Sequence, residues 1–403
     1  DCWSPSRNTI LLEGGTCHPL DSLPPETART LLAAITQARS FSDADLDTLA
    51  ERCGHLPLAL RAAGTLLVRN RDWSITDYLT ALSAERGRLD LLTVQSLDVA
   101  ATLSLSAKQL ERDDAALYRR WRRLTVFPAP FDRPAVQAVW AVEEKEARRG
   151  LSTLLTDYSL LLFDEGTQRH RLHDLMREVA LRLGSPDDAD PATAQRRHAA
   201  HYLTVLAAAD DRYLAGGDRV LRGLALFDQE RRQIEAGQAW AASNAEQDET
   251  AAQLASTYPN AGAYILAMRL HARDQVRWLE AAVEAAHGLG DRPAEGRHLG
   301  NLGNAYADLD DPRKAISFHE QALEIAREIG DRGAEGQDLG NLGNRYFELD
   351  EPRKAIEYNE QALALSREIG DRRSEGIQLG NLGTAYAASG EPRKAIQYYE
   401  QAL

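Results

Sequence analysis

The chain has 403 residues, 43% of them hydrophobic, and a formal net charge of −14 from 47 Lys+Arg against 61 Asp+Glu. That acidity argues against a general nucleic-acid binder, which needs a basic surface, and no apolar run reaches the ~18 residues of a membrane span. Three cysteines (Cys2, Cys17, Cys53) with no Cys-x-x-Cys pair give no disulfide framework, so a reducing, cytoplasmic setting is expected.

The length predicts two to four domains. The front begins with Ser4-Pro5-Ser6-Arg7. Ser22 or the prolines Pro24 and Pro25 open an apolar-periodic helix through Ala28, Leu31, Leu32 and Ile35. A second helix starts near Ser42 and runs through Leu46 and Leu49. Gly54-His55-Leu56-Pro57 then forms a tight turn onto a small-residue helix with Ala59, Ala62, Ala63 and Gly64. On physical grounds alone this is a close-packed helix–helix corner.

Residues 91–183 form a third block. Leu97, Ala101, Leu103 and Leu105 lead into a helix through Leu117, Trp121 and Leu124, which ends at Val126-Phe127-Pro128. Helices follow over Pro134–Trp140 and Ala147–Leu155. Leu160–Phe163 reads as a strand, Asp164–Gln168 as a turn, and His170–His173 as a return strand. Three helices and a small hairpin make a winged-helix plan. The run Arg119-Arg120-Trp121-Arg122-Arg123 reads as an inter-domain or exposed face. His198 and His201 share a helix face but lack a third ligand, so a solvated helix beside Tyr202 is expected rather than a metal pair. Ser185–Pro191 reads as an acidic linker.

The last third repeats every 40 residues. Leu299-Gly300-Asn301-Leu302-Gly303-Asn304 returns at 339–344 and, with Thr384 last, at 379–384; Pro-Arg-Lys-Ala-Ile recurs from Pro312, Pro352 and Pro392. A fixed period in this range means stacked helical hairpins, none of which buries its apolar face alone. Leu299, Leu302, Gly303 and Tyr306 make one stripe at helical spacing. Gly303, Gly343 and Gly383 each cost about 1 kcal/mol of helix propensity, which points to close helix approach. Asp310-Asp311-Pro312 turns into the second helix, where Asp311, Glu351 and Glu391 face the positive end of the helix dipole. That helix buries Ala315, Phe318, Ala322 and Ile325 and stops at Gly330-Asp331. Residues 271–292 read as a worn earlier copy, with Trp278, Glu280, Ala282 and Gly290 in register.

This pattern resembles the tetratricopeptide repeat over about 251–403. Leu302-Gly303-x-x-Tyr306 and the alanines Ala315 and Ala322 carry the resemblance. Leu299 stands where that family usually has an aromatic, and the closing proline is replaced near Arg327, so the second helix runs on past the common ~34-residue period. The resemblance implies a concave face that binds a protein or peptide ligand. Its candidate residues are Asn304, Asn344, Asp308, Phe347 and Glu348; Tyr346 is open between groove and core, and for all of them the alternative is a solvated face.

The front blocks, in their order, resemble the STAND (NB-ARC-type) signalling ATPases. This group includes plant NB-LRR immune receptors, the apoptosome ATPase and actinobacterial regulators. Leu56-Pro57-Leu58-Ala59-Leu60 is similar to the family's Gly-Leu-Pro-Leu-Ala-Leu, with His55 in place of the glycine, and Leu172-His173-Asp174-Leu175 is similar to its Met-His-Asp motif. The resemblance implies that Pro57 lies against adenine. It also implies that His173 contacts the β-phosphate of ADP in a closed state, and that Arg7 of Ser6-Arg7 senses the terminal phosphate. By itself His173 reads as an ordinary packed histidine; its motif context reverses that reading. Leu226–Arg231 resembles the helical linker of bacterial members. STAND winged helices generally do not bind DNA, so any DNA contact is expected from a domain outside this chain.

The expected class is mainly α: 1–22 the tail of a nucleotide-binding domain, 23–90 a helical domain, 91–183 a winged-helix domain, 184–250 a helical linker and 251–403 the repeat array. There is no Gly-x-x-x-x-Gly-Lys-Ser/Thr. The P-loop and the magnesium ligands that accompany ATP are therefore expected before Asp1, in a longer slow ATPase, and this chain alone is not expected to hydrolyse ATP. The absent initiator methionine and the stop inside a repeat fit a segment of such a protein. Five lysines against 42 arginines suit a high-GC bacterial genome. The implied function is a regulatory and sensor segment in which ADP holds a closed state and ligand binding to the array promotes ATP-bound homo-oligomerisation. Two alternatives are a nucleotide-regulated transcription regulator and a repeat scaffold with a degenerate nucleotide core.

Overall fold

The computed structural model describes residues 9–11, 17–19, 22–37, 39, 41–88, 97–184 and 190–402. It is mainly α, as expected. Two compact units divide between His198 and Ala199, inside the stretch read as a linker.

In the first unit β1 (Thr9–Leu11) pairs antiparallel with β2 (Cys17–Pro19). Helices α1 (Pro25–Ile35), α2 (Asp43–Arg52), α3 (Pro57–Arg69) and α4 (Ile75–Arg88) follow. Prolines rather than Ser22 start α1: Pro24 is its N-cap and Pro25 its first residue. Ser42 and Asp45 form a reciprocal capping box at α2. Gly64 lies so close to α1 that an added Cβ would sit 2.8 Å from Ile35 Cγ2.

Helix α5 (Leu97–Asp113) and α6 (Ala115–Arg123) lead through a 3-10 turn, Leu124–Val126, to α7 (Arg133–Trp140) and α8 (Glu144–Thr156). The hairpin β3 (Leu162–Asp164) and β4 (Arg169–Arg171) precedes α9 (Asp174–Arg182). Leu160 and Leu161, expected in the strand, are buried ahead of it. The Leu160 carbonyl accepts Trp121 Nε1–H at 3.0 Å, which spends its hydrogen bond on the core rather than on the ladder. The basic run on α6 is used locally: Arg120 pairs with Glu146 at 2.6 Å and Arg122 lies over the Tyr118 ring.

Helix α10 (Asp190–Leu214) contains the division between units. His198 is 3% exposed and packs edge-on against Phe127, so the solvated face expected there is instead core. Arg120, Arg122 and His198 thus serve packing while Arg119 is exposed, as one of the two readings of that run expected; most of the Ser185–Pro191 linker falls outside the described residues.

The second unit continues through α11 (Asp218–Asn244), α12 (Glu249–Ala261), the short α13 (Ala263–Arg269) and α14 (Ala272–Leu289). Three hairpins follow: α15 (Arg292–Asp308) with α16 (Pro312–Ile329), α17 (Arg332–Glu348) with α18 (Pro352–Ile369), and α19 (Arg372–Ala388) with α20 (Pro392–Ala402). Their apolar faces make cores that cross repeat boundaries; Ile316, Leu323, Leu339, Leu342, Ala362 and Leu365 form one of them. The recurring glycines do what their cost suggests. An added Cβ at Gly303 would be 2.6 Å from His319 Nε2, and at Gly343 2.6 Å from Asn359 Nδ2. Gly290, Gly330 and Gly370 end their helices in the left-handed conformation that glycine adopts most readily.

Candidate functional site

The turn that presents Pro57 is built from two left-handed residues, Gly54 at φ +61° and His55 at φ +54°. A glycine would take the second position without steric cost; His55 adopts it at some cost in backbone strain. Its carbonyl accepts Leu23 N–H at 2.8 Å, tying the turn to the approach of α1. Pro57 opens α3 with its ring exposed.

His173 lies just beyond β4, not within it, and caps α9. Its Nδ1 accepts the Leu175 N–H at 3.2 Å. An accepting Nδ1 leaves the proton on Nε2 of a neutral ring. Burial pushes its pKa below the usual histidine value; Asp174 opposes this and Arg171 adds to it. The ring can therefore donate one hydrogen bond from Nε2, but it does not offer a full positive charge near neutral pH. Arg177 holds the other end of this corner by donating to the carbonyls of Thr125 and Phe127. Among the described residues no hydrogen bond or ring contact joins Pro57 to His173, and Arg7 lies outside the described residues. No group of three His, Cys, Asp or Glu side chains that could hold a metal occurs among the described residues.

In the array, Asn304 and Asp308 are exposed on α15 and line a cavity of about 180 Å³ at the head of the repeats, with Leu266, Leu270, Trp278 and Leu279. Asn304 also lines a second cavity of about 210 Å³ between α15 and α17. There Gly300, Asn301, Asn341 and Asp338 stand over an aliphatic floor that includes Ile325 and Ile329. Asn344 is half-buried on α17 and lines neither cavity. Phe347 is 37% exposed, and Glu348 pairs with Arg345 at 3.1 Å. Tyr346 belongs to the packing: it stacks on Tyr358 at 5.3 Å, and Lys354 lies over its ring at 4.7 Å. The same stack recurs as Tyr306 on Phe318 and Tyr386 on Tyr398.

Sequence reasoning missed Asn301 and Asn341, although both sit in the repeated Leu-Gly-Asn-Leu-Gly block. It also missed a charge ladder. Glu335 is buried and accepts from Arg327 at 2.9 Å and Arg332 at 2.6 Å, while Arg332 reaches Glu368 of the same repeat at 2.8 Å. Glu295 with Arg292, and Glu375 with Arg367 and Arg372, repeat the arrangement. The signal was available, since Arg and Glu recur at i, i+3 in every copy.

Residues 276–328 and 338–403 match the family model described as tetratricopeptide repeat. The chain is 33% identical over 183 residues to the regulatory protein AfsR of Streptomyces griseus, covering 45% of this chain and 18% of that protein. To AfsR of Streptomyces coelicolor it is 31% identical over 227 residues, 53% and 22% of the two chains. It therefore spans less than a quarter of the length of either relative. Among solved structures, a Signal Transduction ATPase with Numerous Domains (STAND) protein with a tetratricopeptide repeat sensor, from Pyrococcus horikoshii, is 15% identical at a TM-score of 0.33, covering 94% of this chain and 65% of that one. BtubC from P. vanneervenii is 19% identical at 0.38, covering 52% and 89%. The chain is thus a mainly α-helical, tetratricopeptide-repeat-containing protein, similar in part of its length to AfsR regulatory proteins.

Proposed function

We propose that the chain is the regulatory and sensor segment of a nucleotide-switched STAND-type ATPase. ADP, held in part by Pro57 and His173, keeps a closed state, and a protein or peptide bound along the array biases the molecule toward an open, ATP-bound, oligomerising one. Such a ligand must bind one state more tightly than the other, since a population shifts only by differential affinity. The observation that carries the reading is the state of His173. It is a neutral ring at a helix head whose Nε2–H makes no hydrogen bond among the described residues, and such a donor suits a phosphate oxygen. Arg7, the magnesium that accompanies ATP and the P-loop belong to the same reading through elements expected ahead of this chain. On the array, Asn304, Asn344, Asp308, Phe347 and Glu348 are the contacts.

The test is made on the longer protein expected to carry this chain. It is purified, denatured, and the released nucleotide identified by chromatography. Stoichiometric ADP in the parent and its loss in His173→Ala support the switch. Equal ADP in both removes His173 from it, and no nucleotide even after incubation with ADP and magnesium leaves a repeat scaffold. A second reading, a nucleotide-regulated transcription regulator that meets DNA through a domain outside this chain, is favoured by the description of its AfsR relatives as regulatory proteins.

A further inference from the structure

The start of the array departs from the pattern of its later copies. Between α12 and α14 the chain does not turn directly but inserts α13, and this helix supplies one wall of the head cavity. The insertion is tied down at both ends. Gly262 begins it where a Cβ would lie 2.4 Å from Leu206 Cδ1, so a side chain there would collide with α10. The buried Asp210 carboxylate accepts the Ile265 N–H at 2.8 Å, meeting the positive end of the short helix. Gln275 closes the other end by donating to the Leu270 carbonyl at 3.1 Å.

The cavity so formed is apolar at its base and polar at its rim. Leu266, Leu270, Trp278 and Leu279 make the base; Asn304 and Asp308 stand at the edge toward the repeats. The Asp308 carboxylate makes no hydrogen bond or ion pair among the described residues. On the same short helix Tyr264 is 56% and Met268 57% exposed. Exposed apolar groups next to an apolar pocket with a polar rim mark an interaction site rather than ordinary surface.

We propose that this head cavity is the anchor pocket for one bulky apolar side chain of a peptide segment that carries a basic residue beside that anchor. The inference rests on the groove reading above and names its partner's chemistry. The volume of about 180 Å³ admits a leucine or phenylalanine side chain. Burial against Trp278 and the leucines supplies affinity, Asn304 meets the peptide's backbone amides, and Asp308 pairs with the neighbouring cation. The chain's net charge of −14 favours a basic ligand over an acidic one at the approach as well. The fixed α13 means that little ordering is needed on binding, which favours affinity.

The test uses the full chain and a phage-displayed library of random dodecapeptides. The expected result is enrichment of peptides that share a large aliphatic or aromatic residue with Lys or Arg within two positions. A selected peptide, made synthetically and labelled, should bind Ala263→Trp, which fills the cavity from its exposed wall, at least tenfold more weakly than the parent. Asp308→Asn should weaken it severalfold with reduced salt dependence. Circular dichroism melts show whether each variant folds, and Asp308→Asn, at an exposed site, keeps the test open if Ala263→Trp does not. Peptides that lose affinity in Asn344→Ala but not in Ala263→Trp or Asp308→Asn overturn the pocket and leave the groove reading standing. No enrichment at all overturns both. Enrichment of acidic peptides overturns the charge assignment and with it the proposal.

Discussion

Gly303→Ala gives the sharpest test of how the repeats are packed. Alanine in a helix interior normally gains about 1 kcal/mol over glycine. Here the new Cβ would stand 2.6–2.7 Å from three ring atoms of His319. That ring cannot swing aside: it is 0% exposed, and its Nδ1 is bonded to Asp338 of the next repeat at 3.2 Å. Relief of the clash requires overpacking strain of roughly 1–3 kcal/mol or loss of the bond to Asp338, about 1–3 kcal/mol for a charged partner. With the strain and the lost bond each costing about 2 kcal/mol and about 1 kcal/mol of helix propensity returned, the net loss is about 3 kcal/mol. Hydrogen exchange across α15 to α17 should then quicken by roughly 100-fold, at ~1.4 kcal/mol per factor of ten. Gly376→Ala is the internal control, since nothing lies within 4 Å of its added Cβ, and it should stabilise α19 by about 0.5–1 kcal/mol. Gly383→Ala is intermediate, because its neighbour Tyr399 is 42% exposed and can move. If Gly303→Ala protects these helices as well as the parent does, the glycine is not there for close approach and the packing argument fails.

Other consequences can be measured on the same preparation. His170 and His298 are buried, and burial lowers both to about 4. The unfolded chain then binds more protons between that value and ~6.5, so stability rises with pH across this window and is lost as pH falls through it, by on the order of 2 kcal/mol per histidine. Urea melts at pH 7 and pH 5 that coincide would contradict this. Asp310 and Asp350 hold left-handed turns at φ +59° and +60° where the third copy has Gly390 at +82°; replacing either with glycine should raise stability by about 0.5–1 kcal/mol, and a drop in melting temperature would argue against it. Glu335→Ala should cost about 2 kcal/mol, and Glu335→Gln less, because glutamine retains an acceptor for Arg327 and Arg332. Equal losses for the two would mean that charge, not hydrogen bonding, sets the value of that site.

The repeat array was legible because its information is local and written three times. Helix stripes, the turn into Pro312 and the closing Gly330 all follow from spacing along one or two helices, whereas the stacks of Tyr306, Tyr346 and Tyr386 emerge only in the structure. The parts that were not legible depend on partners distant in sequence. His198 looked solvated because nothing near it in the chain announces Phe127. His173 read as a strand residue because alternation continues through Leu172, whereas the ring is taken by the backbone of Leu175 as a helix cap. Ser22 was as good a cap by type as the prolines, and the observed start reflects the fixed backbone of Pro24 and Pro25. Helix α13 had no repeat to compare with, so the head cavity was invisible until Gly262 and Asp210 showed how the insertion is held.

The repeats also act as controls for one another. Positions that agree across copies carry packing, as Leu302, Leu342 and Leu382 do, each buried to 1% or less. Positions that differ while the backbone stays the same set one copy apart from the others. On α17 three such positions fall together: Arg345, Phe347 and Glu348 stand where α15 has Ala305, Ala307 and Asp308 and α19 has Ala385, Ala387 and Ala388. Arg345 keeps its Nε buried without a partner and reaches Glu348, while Phe347 leaves apolar surface open. A buried unpaired donor costs stability, and neither it nor the exposed phenylalanine is needed to stack a hairpin that its neighbours stack with alanine. The middle repeat therefore gives up stability on the helix that carries the proposed groove residues Asn344, Phe347 and Glu348. On the proposed groove reading, the choice of partner belongs to α17 and its affinity to the head cavity. Arg345→Ala should accordingly leave the array folded, and more stable, while changing which peptides it selects.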